Sequence, residues 1–416
     1  MKASSQWKAD NYQISVDGEP FFVKGVCYSP VPWGGNSNWQ PYGDFFTPPW
    51  NPIWERDLPK IRALNMNVIR TYNIDNTTGD HSDFFSACYN KGKSPVYVLV
   101  GFGQLNNVGL YDPPNPTAFN QALANFTTMV KAYGNNSAVL GFIVGNEVNN
   151  PDTIASDSFW KNINILSEVV HKHAPGKLSI LSCVDDSMQT VQAGEKNSNL
   201  TDLDVWGINS YRGNSLSNTA NFDNLWNTFQ SATQTSKRPL LLTEWGAPAS
   251  SHKPNVSGTD GGELQFDTTT MNDLVDYVTG HYNDITFNAG TTTSNGGSSN
   301  PNASNWAAVG VGSCYFEWTD EWWKLDTYYS NINCPATKQQ AGVSANAAFP
   351  GGWGDEESFG LNQITPDSSL CPPEKRTTPP GGGCPGPWNF TSNAPYPVDH
   401  LTLRTSGTTL RDLMAD

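Results

Sequence analysis

Short apolar segments recur along the first three quarters of the chain, separated by polar stretches and turn residues. Eight of these segments are rich in β-branched and aromatic residues, and most are apolar at nearly every position. A continuous apolar run of this kind is typical of a strand in a parallel sheet that is covered on both faces. The predicted strands lie at 21–28, 67–74, 95–102, 139–147, 177–184, 203–211, 239–246 and 311–318.

Segments with helical periodicity lie between these strands. Over 159–170, apolar residues recur every three or four positions, which places them on one face of a helix. A similar pattern over 54–61 follows Asn51 and Pro52, which we expect to be the N-cap and the first helical residue. The crossover 185–199 has only a weak helical pattern. Further helices are predicted at 83–91, 116–133, 222–235 and 264–281.

The alternation of eight strands with helices predicts an α/β fold, a (β/α)8 TIM barrel with loop insertions over residues 11–324. The first insertion is the aromatic segment 30–50. The second contains a run rich in Gly, Ser, Thr and Asn at 289–299, for which we expect a mobile surface loop. Residues 325–416 are rich in Pro, Gly and turn residues, and we expect them to form an irregular C-terminal extension packed on the barrel.

The composition favours a neutral, hydroxyl-rich partner. Charged residues make up only 15% of the chain and the formal net charge is −15, which argues against binding to nucleic acid or to an anionic membrane surface. Aromatic residues reach 12%, with 15 Trp, beside many Asn, Ser, Thr and Gly residues. Rings that stack on sugars and amides that bind hydroxyls suit an oligosaccharide or polysaccharide substrate. We expect the protein to be a monomer.

The chain shows neither a recognisable targeting segment nor a run of about 18 apolar residues that could span a membrane. Two interpretations stay open: an intracellular protein, or a secreted, extracellular chain whose signal peptide has been removed, and we favour the second. The seven Cys residues show no CxxC spacing, so we expect neither a metal site nor a cofactor. Cys334, Cys371 and Cys384 lie in the C-terminal extension, where one disulfide is expected if the compartment is oxidising.

Two carboxylates end apolar strands. The fourth predicted strand ends in Asn146 and Glu147, and the seventh ends with Glu244. Chance is a poor explanation, because a buried charge is costly unless it is paired or its pKa is shifted. In a (β/α)8 barrel the C-terminal ends of the strands surround the active site. Two carboxylates there can cleave a glycosidic bond, one by protonating the leaving oxygen and the other by attacking the anomeric carbon or activating water.

These strand ends and their neighbours resemble glycoside hydrolase clan A, the retaining (β/α)8-barrel glycosidases. Within the clan, the segments FFVKGVCYSP, RDLPKIRALNMNVIRTYNID, GFIVGNEVNN, LDVWGINSYRG and PLLLTEWG are similar to those of fungal-type β-1,3-glucanosyltransferases. The resemblance implies that Glu147 is the general acid/base and that Glu244 is the nucleophile. It also implies that Asn146 binds the sugar 2-hydroxyl and that Tyr211 donates a hydrogen bond to Glu244.

Other side chains at the strand ends are candidates for substrate binding. Arg70, at the end of the second strand, is expected to pair with Glu244 or a neighbouring acid, or else to brace the barrel mouth. Trp318 is expected to stack on a sugar beside the cleaved bond, with a role in the core as the alternative. Aromatic candidates for outer subsites, or for the core, are Tyr72, Trp33, Trp39 and Trp50.

Two acidic groups near the strand ends have less specific interpretations. Glu317, Asp320 and Glu321 lie at the end of the eighth strand and directly after it, and we expect them to form a solvated rim. Asp185 and Asp186 follow the fifth strand. For these two residues, binding of substrate hydroxyls and capping of the next turn both stay open.

The sequence therefore predicts a retaining enzyme that acts on a β-glycan, with β-1,3-glucan preferred, through a covalent glycosyl-enzyme. Either water or another sugar can accept the glycosyl group, so hydrolysis and transfer both stay open. The first alternative is an endo-hydrolase of another β-glycan, such as mannan, galactan or β-1,4-glucan. The second is a non-catalytic carbohydrate-binding barrel, which we would expect to lack one of the two carboxylates.

Overall fold

The computed structural model describes most of the barrel region and parts of the C-terminal extension. The described residues are 4–32, 37, 42–75, 77, 79–213, 220–252, 264–289, 307–321, 349–352, 354–365 and 398–415. Several predicted features lie outside them: Trp33, Trp39, the run 290–299, and Cys334, Cys371 and Cys384.

The chain begins with a three-stranded antiparallel sheet and then forms the barrel. The small sheet contains β1 (Trp7–Asp10), β2 (Gln13–Val16) and β3 (Glu19–Phe21). Seven barrel strands follow: β4 (Val23–Cys27), β5 (Val68–Arg70), β6 (Tyr97–Val100), β7 (Val139–Asn146), β8 (Leu178–Val184), β9 (Val205–Asn209) and β10 (Leu240–Trp245). After the two-stranded pair β11 (Ser251–His252) and β12 (Leu264–Gln265), the eighth barrel strand is β13 (Gly310–Tyr315).

Strand β13 closes the barrel, because it pairs in parallel with both β10 and β4. Tyr315 lies opposite Trp245 on one side, and Cys314 lies opposite Gly25 on the other. The seam is tight at Gly25, where a Cβ would come within 2.6 Å of the Cys314 Sγ atom. The closed sheet contains all eight predicted strands in chain order, and it confirms the predicted (β/α)8 fold.

Helices fill the crossovers and cover the outside of the barrel. They are α1 (Asn51–Ala63), α2 (Ser82–Tyr89), α3 (Pro116–Tyr133), α4 (Pro151–Ile154), α5 (Asp157–His173), α6 (Gln189–Lys196), α7 (Leu225–Ala232), α8 (Thr268–Phe287) and α9 (Thr405–Leu413). The apolar positions predicted for α5 are wholly buried. The weakly patterned crossover 185–199 contains the short helix α6. None of the helices within the described ranges combines the length and the apolar character needed to cross a membrane.

Several helix starts differ from the prediction, and two of them have a clear local cause. Asn51 is the first residue of α1 rather than its N-cap, because a 3-10 turn at Pro48–Trp50 runs directly into the helix. Asn51 therefore does not have the extended backbone conformation that an N-cap residue adopts. Helix α8 begins at Thr268, four residues later than predicted, because Asp267 caps it by accepting the Thr270 N–H at 2.8 Å.

The described part of the C-terminal extension is more regular than expected. β14 (Asn362–Thr365) pairs with β15 (His400–Leu403), and α9 packs against α8. Lys24 in β4 donates to the Met414 carbonyl at 2.5 Å, which ties the end of α9 to the first barrel strand. The expectation of an irregular layer is wrong for these residues, because they satisfy their backbone groups in a ladder and a helix. The domain boundary at 324/325 stays a prediction.

Candidate active site

The two carboxylates that end apolar strands line one cleft. Glu147 follows the last residue of β7, and Glu244 is the penultimate residue of β10. The cleft has a volume of about 1400 Å³ and lies at the C-terminal ends of the barrel strands. The backbone φ of Glu147 is 54°, a left-handed value that is uncommon outside glycine and tends to occur at functional sites. Its N–H donates to the Ser182 carbonyl at 2.8 Å, so the chain turns sharply where β7 ends.

Glu244 is nearly buried and is held by three donors. Its side chain forms an ion pair with Arg70, which is wholly buried. The Tyr72 hydroxyl donates to Oε1 at 2.8 Å, and the Tyr211 hydroxyl donates to Oε2 at 2.7 Å. Hydrogen bonds to an ionised carboxylate are among the stronger ones in proteins, and they fix its orientation. The arrangement therefore presents an oriented carboxylate to the cleft, with the contacts expected for Arg70 and Tyr211.

The hydroxyls of Tyr72 and Tyr211 must be protonated to donate to Glu244. Burial, the largest cause, raises the pKa of Tyr72 well above its usual value, although the nearby Arg70 charge acts in the opposite direction. Burial and the charge of Glu244 likewise raise the pKa of Tyr211. Both hydroxyls therefore stay protonated donors near neutral pH, where a carboxylate is ordinarily ionised.

Glu147 lies in a different electrostatic environment. Burial among cleft atoms and the negative charge of Glu244 raise the pKa of Glu147 above its usual value. The Asn209 amide donates to its Oε1 atom at 2.8 Å and partly offsets that shift. The side chain is exposed on the cleft side, where solvent screens part of the effect. A carboxyl that retains its proton to higher pH beside an oriented carboxylate suits a general acid.

A buried polar network beneath the two acids was not predicted. Asn209 contacts Glu147 through its amide nitrogen, and its Oδ1 atom accepts from the hydroxyls of Ser182 at 2.9 Å and Thr243 at 2.8 Å. Arg70 bridges this network, because it also donates to the Asn146 Oδ1 atom. One signal for these residues is present in the sequence: each is a polar residue in the C-terminal half of a mainly apolar strand.

The stacking role expected for Trp318 does not fit its position. Trp318 is only 1% exposed, and Asn362 in β14 donates to its carbonyl from both the backbone and the side chain at 3.0 Å. Phe316 lines the cleft instead. Trp50 is also buried and packs edge-on against Phe45, so it belongs to the core.

An aromatic wall flanks Tyr211. Phe316, Phe349 and Phe359 meet the Tyr211 ring edge to face, with centroid distances of 6.3, 6.4 and 5.8 Å. Two of these rings, Phe349 and Phe359, belong to the C-terminal extension. The extension therefore contributes to the cleft, which no sequence pattern indicated, because these residues are brought to the barrel only by tertiary packing.

The acidic residues around the end of the eighth strand do not form the solvated rim that we expected. Glu317 and Asp320 are wholly buried, and Glu321 is only 6% exposed. Arg404 from the C-terminal extension explains the burial of Asp320, since its guanidinium donates to both carboxylate oxygens at 2.6 and 2.8 Å. Within the described residues, no group of three or more His, Cys, Asp and Glu side chains is arranged to hold a metal ion.

The two acids after the fifth strand have local structural partners. Asp185 forms an ion pair with Arg212 at 2.5 Å and accepts from the Ser210 hydroxyl at 2.6 Å. Asp186 accepts the Thr190 N–H at 2.9 Å, within the first turn of α6. Of the two possibilities left open by the sequence, these contacts favour capping for Asp186.

A closed barrel with two carboxylates in one cleft at its C-terminal end has the architecture of the (β/α)8-barrel glycosidases. Comparison with solved structures gives the same fold. A β-glucuronidase from Faecalibacterium prausnitzii has a TM-score of 0.54 and 15% identity, covering 99% of this chain and 51% of that one. A β-glucuronidase from Bifidobacterium dentium has a TM-score of 0.52 and 13% identity, covering 84% and 47%. At these identities the similarity shows the fold alone.

The chain belongs to the glucanosyltransferase family, glycoside hydrolase 72, which matches residues 3–256. The 1,3-beta-glucanosyltransferase gas5 of Schizosaccharomyces pombe is 27% identical over 252 residues, covering 58% of this chain and 46% of that protein. The 1,3-beta-glucanosyltransferase GAS4 of Saccharomyces cerevisiae is 27% identical over 258 residues, covering 58% and 51%. The chain spans about half the length of these curated relatives. The matched residues include both carboxylates and seven of the eight barrel strands.

Proposed function

We propose that this protein is a retaining transglycosylase that cleaves β-1,3-glucan and transfers the released glycosyl group to another sugar. One observation carries the proposal: Glu147 and Glu244 line the same cleft in contrasting environments. Glu244 is bound by a buried arginine and two hydroxyls, whereas the pKa of Glu147 is raised. The family and the names of the similar yeast proteins support β-1,3-glucan as the substrate.

In the first half-reaction, Glu244 attacks the anomeric carbon and forms a covalent glycosyl-enzyme. Glu147 donates its proton to the glycosidic oxygen, so that the leaving sugar departs as a neutral alcohol. In the second half-reaction, ionised Glu147 takes the proton of an acceptor hydroxyl, which attacks the same carbon and releases Glu244. The two displacements restore the original anomeric configuration.

The surrounding side chains have separate tasks in this proposal. Arg70, Tyr72 and Tyr211 keep Glu244 oriented for attack. Asn146 binds the 2-hydroxyl of the sugar at the cleaved bond, a contact that becomes stronger in the transition state. Phe316 replaces Trp318 as the candidate for the apolar surface beneath that sugar, since it lines the cleft.

The size of the cleft supports a polymeric substrate. Its volume of about 1400 Å³ exceeds the roughly 300–1,000 Å³ of common small-molecule pockets. A cleft of this volume can hold sugars on both sides of the cleaved bond, which transfer to a sugar acceptor requires. Secretion and a monomeric state stay predictions, as does the boundary between the barrel and the C-terminal extension.

Product analysis on laminari-oligosaccharides tests the activity. Transfer predicts products both longer and shorter than the starting oligosaccharide, with β configuration at the new bond. Shorter products alone would remove transfer and leave hydrolysis. Cleavage of mannan, galactan or β-1,4-glucan without cleavage of β-1,3-glucan would overturn the proposed substrate.

Substitution of the two acids tests their roles. Glu244→Ala is expected to abolish turnover of every substrate. Glu147→Ala is expected to turn over only a substrate with a good leaving group, and added azide should restore its rate and give a glycosyl azide of retained configuration. Glu55→Ala, an exposed glutamate on α1, is the matched control and should keep full activity. An inverted product from the unsubstituted enzyme would exclude Glu244 as the nucleophile.

A further inference from the structure

The wall of the cleft beside the loop after β4 carries an exposed aromatic ring that the proposed chemistry does not use. Tyr42 is 59% exposed and lines the cleft. Asn73 and Asp75, in the loop after β5, line the same cleft. A ring, an amide and a carboxylate that line one cleft can bind a sugar in two ways, because the ring covers the apolar face and the polar groups bind hydroxyls.

The backbone that carries Tyr42 is held by its neighbours. The Asn73 amide nitrogen donates to the Tyr42 carbonyl at 2.9 Å, and the Asn73 Oδ1 atom accepts the Gly103 N–H at 2.9 Å. One side chain therefore joins the loops that follow β4, β5 and β6. Because all three loops border the cleft, this amide sets the shape of its wall.

A buried network anchors the same loop from beneath. Asp44, two residues after Tyr42, is wholly buried, and both of its carboxylate oxygens hydrogen-bond to His81 Nε2, at 2.8 and 2.9 Å. His81 Nδ1 lies 2.7 Å from the Tyr133 hydroxyl on α3. Asp44 also accepts the Asp75 N–H at 3.0 Å. The network thus connects the Tyr42 loop and the Asp75 loop to the helical layer.

A buried polar network stabilises the fold less than apolar packing of the same volume would. Buried polar groups lose their hydration, and apolar residues of similar volume would pack there without that penalty. A fully paired network does, however, fix one geometry more sharply than apolar packing does. The elements that this network fixes are those that carry Tyr42, Asn73 and Asp75.

We propose that Tyr42, with Asn73 and Asp75, forms an outer glycosyl subsite of the cleft, with the Tyr42 ring as its stacking surface. Asp44, His81 and Tyr133 are positioning residues that hold this surface in place. The inference rests on the proposed function for the identity of the substrate, a β-linked glucan chain. It adds a binding position for a sugar remote from the cleaved bond.

The dependence of kcat/KM on oligosaccharide length tests the subsite. Tyr42→Ala is expected to lower kcat/KM by about twofold to tenfold for laminari-oligosaccharides long enough to reach the subsite, through a higher KM at unchanged kcat. Shorter oligosaccharides should be unaffected. An equal loss for every length, or no loss for any, would overturn the subsite.

The positioning network is tested by a second substitution and its matched control. His81→Gln should reproduce the length-dependent loss, and adding it to Tyr42→Ala should cause little further loss, because both act on one element. His171→Gln removes a contact of 2.8 Å between His171 on α5 and Asp204 before β9, and it should leave kcat/KM unchanged at every length. If His81→Gln fails to fold, Tyr133→Phe is the milder test. Losses that add up, or that are independent of length, would overturn the positioning role.

Direct binding separates failure of this inference from failure of the proposed function. If the unsubstituted enzyme turns over no laminari-oligosaccharide, the proposed function is wrong. The subsite is then tested by direct binding. Intrinsic tryptophan fluorescence measures the affinity of the unsubstituted protein and of Tyr42→Ala for laminari-, cello- and manno-oligosaccharides of increasing length. If Tyr42→Ala binds the longer members of one series more weakly than the unsubstituted protein does, the subsite is supported. If the two proteins bind all three series with the same affinity, the subsite is overturned.

Discussion

Glu244 accepts a hydrogen bond from a different tyrosine on each carboxylate oxygen. We expect removal of the Tyr211 hydroxyl to reduce activity more than removal of the Tyr72 hydroxyl. Tyr72 and Arg70 both donate to Oε1. Tyr211 donates to Oε2, and among the described residues that oxygen has no second donor. Tyr211→Phe therefore leaves one oxygen of a carboxylate that is only 6% exposed without its partner, whereas Tyr72→Phe leaves Arg70 in place.

The size of the difference follows from the energies of these bonds. A hydrogen bond to a charged group contributes about 1.5–3 kcal/mol, and a typical neutral one about 0.5–1.5 kcal/mol. Since about 1.4 kcal/mol corresponds to a factor of ten, Tyr211→Phe is expected to lower kcat/KM by about 10-fold to 150-fold. For Tyr72→Phe we expect a loss below about tenfold, because Oε1 remains paired. Tyr211→Phe keeps the ring, so its edge contacts with the three phenylalanines should survive.

The assay compares kcat/KM of the two variants on one laminari-oligosaccharide, with thermal unfolding as the check that each variant is folded. The expected order is a larger loss for Tyr211→Phe. A loss for Tyr72→Phe equal to or greater than that for Tyr211→Phe would refute the reasoning. So would activities of both variants within about twofold of the unsubstituted enzyme, since the contacts would then be energetically irrelevant.

Two further predictions concern charge and stability. Burial and the charge of Glu244 raise the pKa of Glu147 in the folded protein. The protonated side chain therefore stabilises the fold below the unfolded pKa of about 4.3. This stabilisation is lost as the pH rises through the folded pKa. Glu147→Gln should therefore raise the melting temperature at pH 7 and much less at pH 4; an equal gain at both would contradict this. Arg404→Met should lower the free energy of unfolding by about 3–5 kcal/mol in denaturant titrations, because the buried Asp320 carboxylate loses the guanidinium charge that pairs with it. Adding Asp320→Asn should recover part of the loss, and additive losses would show that the two residues are not coupled.

The barrel strands could be predicted because burial on both faces demands apolar residues at nearly every position. Helix boundaries were less predictable, since they depend on one or two residues. Asn51 is a good capping residue by type, yet the preceding turn at Pro48–Trp50 is already helical and removes the cap position.

The two carboxylates that share the cleft were predictable for a related reason. Glu147 and Glu244 each interrupt an apolar run where a barrel strand ends, and a charge there needs a partner or a function. Asn209 occupies a similar position, but a single amide at a strand end is too common to select. Trp318 and Phe316 could not be ranked from the sequence, because only the tertiary structure decides which of the two rings lines the cleft.

The sequence by itself determined the barrel, the order of its strands and the two acids at its mouth, because periodicity and strand-end polarity are local properties of the chain. Only the tertiary structure decided the partners of those acids, the burial of Trp318 and of the acidic residues around the end of the eighth strand, and the support beneath Tyr42. These features depend on residues far apart in the chain, such as Asp320 and Arg404, that meet only after the barrel has closed and the C-terminal extension has packed on it.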